Sequence, residues 1–169
     1  MGNFNELTTT KKGDLGESIV DAYIKSKGIV PYKPDADQPH PFDRLCASAD
    51  KKNLYIVEVK TKAKRKRYPD TGIDISAFDG YNDIQKKYNI MVFMFFVDEE
   101  AGEIYGGLLN EISKKHYVFD SGRHLGYPLR ARGIIYFPIE LMKPYSRISD
   151  IAVNELKNLT TKNRTYLPA

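Results

Sequence analysis

The eight residues from Ile90 to Val97, IMVFMFFV, are all apolar and show no alternation with polar residues. A strand of this composition is covered on both faces, as is typical for the centre of a sheet with helices on either side. The run is far too short to cross a membrane as a helix. The sequence therefore predicts an α/β protein that is built around one buried central strand.

The other elements are predicted from hydrophobic periodicity and turn residues. Helices are predicted over 12–27, 76–88 and 149–156, the last capped by Ser149. Strands are predicted over 29–33, 42–48, 54–62, 90–97, 102–110 and 133–139. The second and third strands form a hairpin. Residues 34–41 and 68–74 are predicted to be loops, and 110–132 to be irregular. This order predicts an α/β fold with a central mixed sheet flanked by helices.

The chain of 169 residues is long enough for one domain with a proper core. We expect a single domain over 1–169, with its core at about 12–140 and a C-terminal helix and loose tail at 148–169. Hydrophobic residues make up 41% and charged residues 28%, which favours a globular chain over a disordered one. Cys46 is the only cysteine, which excludes a disulfide framework within the chain. The first residues lack the apolar core of a signal peptide, so a cytoplasmic protein is expected.

Two carboxylates and a lysine are predicted to share one face of the hairpin. Side chains alternate along a strand, so Glu58 and Lys60 point the same way. If the turn lies between Asp50 and Lys51, Asp43 lies opposite Glu58, with Cβ atoms about 5 Å apart. The two carboxylates would repel each other unless a cation lay between them, and a divalent metal ion is the simplest candidate.

Glu17 is a further acidic candidate, from the first predicted helix. On a helical wheel it falls just beyond Ile24, at the edge of the apolar arc. A residue at that edge emerges at the boundary between helix and sheet. Glu17 could therefore reach the same site.

These residues resemble the PD-(D/E)XK nuclease superfamily, which has the restriction endonuclease-like fold. The matching residues are Glu17 in GDLGES, Asp43 in PFDRL, and Glu58 and Lys60 in VEVK. The order helix, hairpin, helix, strand also fits, over roughly 12–97. The helix glutamate and the basic flank are most similar to archaeal Holliday junction resolvases. Asp43 follows phenylalanine where the family motif has proline, and the literal Pro-Asp pairs at 34–35 and 69–70 do not suit the role.

The resemblance implies metal-dependent hydrolysis of phosphodiester bonds in DNA, branched or Holliday junction DNA included. Asp43, Glu58 and the Val59 carbonyl would hold one or two Mg²⁺ ions, for which Mn²⁺ could substitute, and Glu17 would complete or support the metal shell. Lys60 would orient the attacking water, stabilise the transition state or, if its pKa is lowered, act as a base. Gln85 is a candidate accessory residue. Resolvases of this fold work as homodimers.

Basic residues next to the site are candidates for nucleic-acid contact. Five follow the hairpin and three lie in the irregular segment: Lys62, Lys64, Arg65, Lys66, Arg67, Arg123, Arg130 and Arg132. The net charge of +4 suits a polyanionic partner. Such contacts would position the phosphate backbone and carry no sequence information. A solvated basic loop is the alternative explanation.

The residues leave several functions open. The first is a metal-dependent DNA nuclease. The second is a non-catalytic nucleic-acid-binding module on the same fold. The third is a nuclease that acts on RNA or on the end of a duplex. The fourth is an α/β protein whose charges serve contacts with other proteins. Metal-dependent cleavage separates the two nucleases from the others, and a substrate panel separates those two from each other.

Overall fold

The computed structural model describes residues 8–34, 40–119 and 133–164, and the side chains of 8–34, 40–116 and 133–160. The helices are α1 (Thr8–Ser26), α2 (Ile75–Tyr88), α3 (Leu109–Ile112) and α4 (Asp150–Arg164). The strands are β1 (Val30–Tyr32), β2 (Arg44–Ala47), β3 (Leu54–Thr61), β4 (Asp70–Asp74), β5 (Met91–Asp98), β6 (Glu103–Leu108), β7 (Tyr117–Phe119), β8 (Ile134–Pro138) and β9 (Lys143–Arg147).

The main sheet has six strands in the order β1-β2-β3-β5-β6-β9. Strands β3 and β5 are parallel, and the other neighbours in this sheet are antiparallel. The apolar run forms β5, with buried side chains such as Met94 and Phe95 on alternate faces. The prediction of a central strand covered on both faces, within an α/β fold with a mixed sheet, is confirmed.

The two faces of the main sheet pack against different layers. On one face, Ile56 and Met94 belong to a core that includes Tyr81 of α2 and Phe137 of a second sheet, ordered β4-β8-β7. On the other face, Val57 packs with Val20 of α1 and Leu156 of α4. Alternate residues of β3 therefore project into two separate environments.

No helix within the described ranges is long and apolar enough to cross a membrane.

The hairpin has the register that the sequence predicts. Arg44 pairs with Val57 and Leu45 with Ile56, which puts Asp43, one residue before β2, opposite Glu58. In the turn, Lys51 adopts a positive φ of 59°. The Ser48 hydroxyl donates to Asp50 Oδ1, and the Ser48 amide donates to the Asn53 carbonyl. These local bonds fix the turn position, and with it which residues face each other.

Three parts of the fold differ from the predictions. The supposed loop at 68–74 contains β4, because five residues of β8 pair with it and the buried Asp70 is neutralised by Arg65. The supposed irregular segment contains α3 and β7 in its described part. The strand at 133–139 is β8, which joins the second sheet rather than the main one.

The C-terminal region is also more integrated than predicted. Strand β9 was not predicted. It pairs with β6 at the edge of the main sheet, where Pro144, which has no amide hydrogen, is tolerated. Ser149 caps the last helix as predicted, accepting a hydrogen bond from the Ala152 amide at 3.3 Å. That helix runs on to Arg164, beyond the predicted end at 156, and its Leu156 is fully buried between the sheet and α1.

Candidate active site

Asp43 extends the hydrogen-bond ladder just before β2 begins. The strand begins at Arg44, and the next position along β3 has no backbone partner from β2. Asp43 Oδ2 accepts a hydrogen bond from the Val59 amide at 2.7 Å. The carboxylate thus takes the place of a ladder carbonyl, which fixes its orientation beside Glu58. The Val59 carbonyl points to the same side of β3 as the Val59 amide.

Glu58 is buried and only partly satisfied. It is 3% exposed, and its Oε1 accepts a hydrogen bond from Lys60 Nζ at 2.6 Å. Its Oε2 is buried and has no hydrogen-bond partner among the described residues. A buried acceptor that lacks a partner costs about 1–3 kcal/mol, and more when it is charged. A cation at this oxygen would remove that cost.

Burial and neighbouring charges shift the pKa values of both Asp43 and Lys60. Burial, followed by the Glu58 charge, raises the pKa of Asp43 from 3.8 to about 7, although the Val59 amide opposes the shift. Burial tends to lower the pKa of Lys60, but Glu58, Asp43 and Asp74 together outweigh it and raise that pKa. Lys60 is therefore a cation at neutral pH. This argues against a lowered pKa and hence against Lys60 as a general base.

Two further residues at this site were not singled out in the sequence. Tyr81 of α2 is buried beside Glu58, and burial, followed by the Glu58 charge and a side-chain hydrogen bond to Glu58, raises its pKa. Asp74, at the end of β4, is exposed and acts electrostatically on Lys60. In the sequence, Tyr81 falls within the predicted helix at 76–88 and Asp74 within the predicted loop at 68–74. Neither carried a local signal, because both reach the site through the second sheet and α2.

Glu17 is brought close to the site but is already engaged. Helix α1 lies close to β3, since a Cβ atom on Gly16 would fall 1.8 Å from Thr61 Oγ1. Glu17 Oε2 is 3.0 Å from Arg44 Nη1 and 3.8 Å from Lys33 Nζ. Its charge contributes to the raised pKa of Asp43. Glu17 therefore acts on Asp43 through space while its carboxylate contacts cations.

Arg44 is the centre of a buried cluster that sequence reasoning missed. It is 2% exposed, and it contacts Asp21 through Nε and Nη2, each at 2.9 Å. Its Nη1 also donates to the Asp43 carbonyl at 2.6 Å. The available signals were the spacing of Glu17 and Asp21, four apart on one helix face, and an arginine beside Asp43 in the hairpin.

The ligands for a metal ion are few. Within the described ranges, no group of three or more His, Cys, Asp or Glu side chains could hold one. Asp43 and Glu58 form a smaller set of two carboxylates, and the Val59 carbonyl, next to Glu58 on β3, is a third oxygen donor. Oxygen donors of this kind suit Mg²⁺, which is often bound by one or two carboxylates plus water and substrate phosphates. The unpartnered Glu58 oxygen and the raised pKa of Asp43 are consistent with such an ion.

The basic run after β3 is divided between structural and exposed residues. Lys64 pairs with Glu103, and Arg65 binds Asp70 and lies over the Tyr136 ring at 3.8 Å. Lys62 is half-buried, and its Nζ donates to the Gly72 carbonyl at 3.3 Å. Lys66 is 82% exposed on its side chain, 3.6 Å from Glu100, and Arg67 is exposed. Contact between this run and nucleic acid stays a prediction.

The remaining candidates lie elsewhere. Gln85 Oε1 accepts a hydrogen bond from the Val92 amide at 3.1 Å, which ties α2 to the beginning of β5. Arg123, Arg130 and Arg132 lie outside the described residues. Asp70, in one of the literal Pro-Asp pairs, is a buried partner of Arg65. Gln85 and Asp70 therefore have structural partners of their own.

The chain was compared with protein families, curated proteins and solved structures. No protein-family model and no curated protein matches the chain. Among solved structures, Hjc, a Holliday junction resolvase from the archaeal hyperthermophile Archaeoglobus fulgidus, is similar with a TM-score of 0.51 and 8% identity, covering 83% of this chain and 99% of Hjc. D212, a nuclease from a fusselovirus, is similar with a TM-score of 0.42 and 13% identity, covering 95% of this chain and 98% of D212. The likeness to Hjc shows a shared fold.

Proposed function

We propose that this chain, which has the fold of a PD-(D/E)XK nuclease, is a metal-dependent endonuclease that hydrolyses phosphodiester bonds in DNA, branched DNA such as four-way junctions included. One observation carries the proposal: the half-buried Asp43 and the buried Glu58 are held together beside Lys60, and one Glu58 oxygen has no partner among the described residues. Hjc, a solved structure that shares the fold, is a Holliday junction resolvase.

The side chains have distinct tasks in this reaction. Asp43 and Glu58, with the Val59 carbonyl, would bind Mg²⁺, which polarises a phosphate and lowers the pKa of bound water. Lys60 is held by Glu58 at 2.6 Å and carries a positive charge, so it is suited to stabilise negative charge that develops on the phosphate. Val59 fixes Asp43 through the backbone. Asp74 lies on the exposed side and adds to the field at Lys60.

Nucleic-acid binding would rest on the exposed basic residues near this site. Lys66 and Arg67 are more exposed than Lys64 and Arg65, whose charges are paired within the protein. Contacts from such residues go to phosphates and give affinity without sequence preference. A preference for branched DNA would then depend on the shape of the substrate.

A cleavage panel tests the proposal. Single strands, duplexes, flaps, four-way junctions and RNA are each incubated with Mg²⁺, Mn²⁺ or EDTA. We expect cleavage of at least one DNA substrate with metal and none with EDTA. Cleavage of RNA alone would replace the DNA substrate in the proposal. If no substrate is cut and neither ion raises the melting temperature, the enzyme hypothesis is wrong.

A non-catalytic nucleic-acid-binding module is the second candidate. It is favoured by the small ligand set, since no group of three or more potential metal-ligating side chains occurs within the ranges that the structure covers. Such a module would bind the same substrates in EDTA and leave them uncut in Mg²⁺. A gel-shift assay in EDTA, together with the cleavage panel in Mg²⁺, distinguishes it from the nuclease.

A further inference from the structure

The Arg44 cluster is a second set of buried charges, on the other side of the main sheet from Glu58. Arg44 pairs with Val57, whose side chain belongs to the core under α1, whereas Ile56 belongs to the core under α2. Side chains alternate along β3, so Glu58 projects from the α2 side. Glu17 reaches Arg44 from α1. Glu17 and Glu58 therefore approach Asp43 from opposite faces of the sheet.

We infer that the Glu17 carboxylate is a permanent partner of Arg44 and not a metal ligand, so that the metal site offers two carboxylates, Asp43 and Glu58. The second half of this inference rests on the proposed function. The first half stands on the contacts of Arg44 alone. In the superfamily that this chain resembles, the glutamate of the first helix is expected to complete or support the metal shell, and here it would have a different task.

The contacts of Arg44 show why Glu17 is committed. The guanidinium donates to Asp21 from two nitrogens, to the Asp43 carbonyl, and lies 3.0 Å from Glu17 Oε2. Asp21 and Glu17 are four residues apart on α1 and form one acidic surface facing one guanidinium. Arginine suits such a position because its planar group donates in several fixed directions at once.

Separating Glu17 from Arg44 would also be energetically unfavourable, which supports the same conclusion. Arg44 is almost fully buried, and a buried cation that loses a partner carries an uncompensated desolvation cost. Lys33 lies 3.8 Å from the same Glu17 oxygen, so this carboxylate has cations on two sides. Asp43 and Glu58 have the opposite character, because a cation would relieve the repulsion between them. A metal ion would therefore bind more favourably between Asp43 and Glu58 than at Glu17.

The inference is tested with two measurements on Glu17→Gln, with Asp21→Asn and Asp43→Asn as matched variants. Mn²⁺ binding is measured by isothermal titration calorimetry, and urea unfolding is followed without metal. We expect Asp43→Asn to weaken Mn²⁺ binding by about tenfold or more, since the loss of even an outer-shell partner of a metal ligand costs about 10–100-fold. Glu17→Gln and Asp21→Asn should change Mn²⁺ affinity far less than Asp43→Asn does, because neither removes a contact with the ion, and both should lower the urea midpoint.

A coupling measurement completes the test. In an Arg44→Met background, Glu17→Gln should no longer lower the urea midpoint, because its partner is gone. If Arg44→Met does not fold, the Mn²⁺ affinities and urea midpoints of Glu17→Gln and Asp21→Asn still test the inference. The inference is overturned if Glu17→Gln weakens Mn²⁺ binding as much as Asp43→Asn does, or leaves the urea midpoint unchanged. If the wild-type chain binds no Mn²⁺, the proposed metal site fails, and the urea midpoints still test the pairing of Glu17 with Arg44.

Discussion

Two clusters of charge lie on opposite faces of the same hairpin, each with two carboxylates around one central basic side chain. In the first, Arg44 donates to Asp21 and to the Asp43 carbonyl and contacts Glu17, which the exposed Lys33 also approaches. In the second, Lys60 contacts one oxygen of Glu58, while the other oxygen is buried without a partner among the described residues. Apart from Lys33 the charge composition is the same, and the degree to which the polar atoms are satisfied differs.

This difference separates a structural cluster from a site that is ready for a ligand. A fully hydrogen-bonded buried ion pair is costly to break, because either partner alone is left desolvated. A carboxylate pair that raises the pKa of Asp43 to about 7 is poorly satisfied by the protein itself. Strongly perturbed groups of this kind concentrate at functional sites. The contrast can be sharpened by substitutions that act on one cluster at a time.

The largest effect is expected at the satisfied cluster. Arg44→Met removes the cation between Asp21 and Glu17, and should lower the free energy of unfolding by about 3–5 kcal/mol. Lys33→Met is the matched control, since Lys33 contacts the same Glu17 oxygen but is 55% exposed on its side chain. An exposed pair contributes about 0.2–1 kcal/mol. Urea unfolding measures both, and equal effects would show that burial of Arg44 does not matter.

The second prediction concerns pH and the unsatisfied pair. In the folded, metal-free chain the pKa of Asp43 is about 7, against 3.8 as its ordinary value. Between these two values the folded chain binds more protons than the unfolded chain, so the free energy of unfolding falls as pH rises. The fall is at most about 4 kcal/mol, at about 1.4 kcal/mol per pKa unit.

Asp43→Asn tests this fall. The variant removes the repulsion, so its free energy of unfolding should change less between pH 4 and pH 7 and exceed that of the wild-type chain at pH 7. Asp83→Asn, an exposed position on α2, is the control and should keep the wild-type pH profile. Chemical denaturation in EDTA at a series of pH values gives the measurement. A wild-type profile in Asp43→Asn would show that the carboxylate pair is not strained.

The third prediction is catalytic. If the chain is a nuclease, Lys60→Met should lower kcat by about 10²–10³, the usual loss when one group that stabilises transition-state charge is removed. DNA binding should change little, whereas the free energy of unfolding should fall, because the buried Glu58 loses the partner of its Oε1. Lys86→Met, at an exposed position of α2, is the control. In a double variant with Asp43→Asn the losses should not add, because both groups serve one step. Additive losses in single-turnover cleavage would contradict a shared site.

The smallest effect is expected in the basic run after β3, where exposed basic residues again differ from basic residues that are paired within the protein. Replacing Lys66 and Arg67 with Gln should lower the slope of log K against log salt by up to about 1.8, at about 0.9 for each lost phosphate contact. The same change at Lys64 and Arg65 should mainly lower stability, because these residues pair with Glu103 and Asp70. Fluorescence anisotropy over a salt series distinguishes the pairs. A larger slope change in the second pair would reverse the assignment.

The sequence predicts those parts of the molecule that depend on short-range patterns. The hairpin register follows from the turn at Asp50 and Lys51 and from the alternation of side chains, and it is confirmed. The central strand and α2 follow from unbroken or helical apolar patterns. With the register known, Asp43 lies opposite Glu58. That is why the carboxylate pair could be predicted from the sequence before its surroundings were known.

The remainder depends on partners that are distant in the sequence. Strand β4 contains Gly72 and two aspartates, and it forms because β8 pairs with it and Arg65 neutralises Asp70. Arg44 resembles an ordinary exposed strand residue in the sequence. Its burial becomes evident only when α1 places two carboxylates against it. The sequence shows which side chains of a strand share a face. It does not show which helix or sheet covers that face.

The parallel pairing of β3 with β5 has a kinetic consequence. Residues 62–90 leave the sheet and return before these strands can pair, whereas the hairpin that joins Asp43 to Glu58 closes locally. The two carboxylates therefore meet while water still surrounds them, where their repulsion is weak. The repulsion grows only when β4 and α2 cover the site. Asp43→Asn should then slow unfolding in stopped-flow experiments and leave the refolding rate almost unchanged.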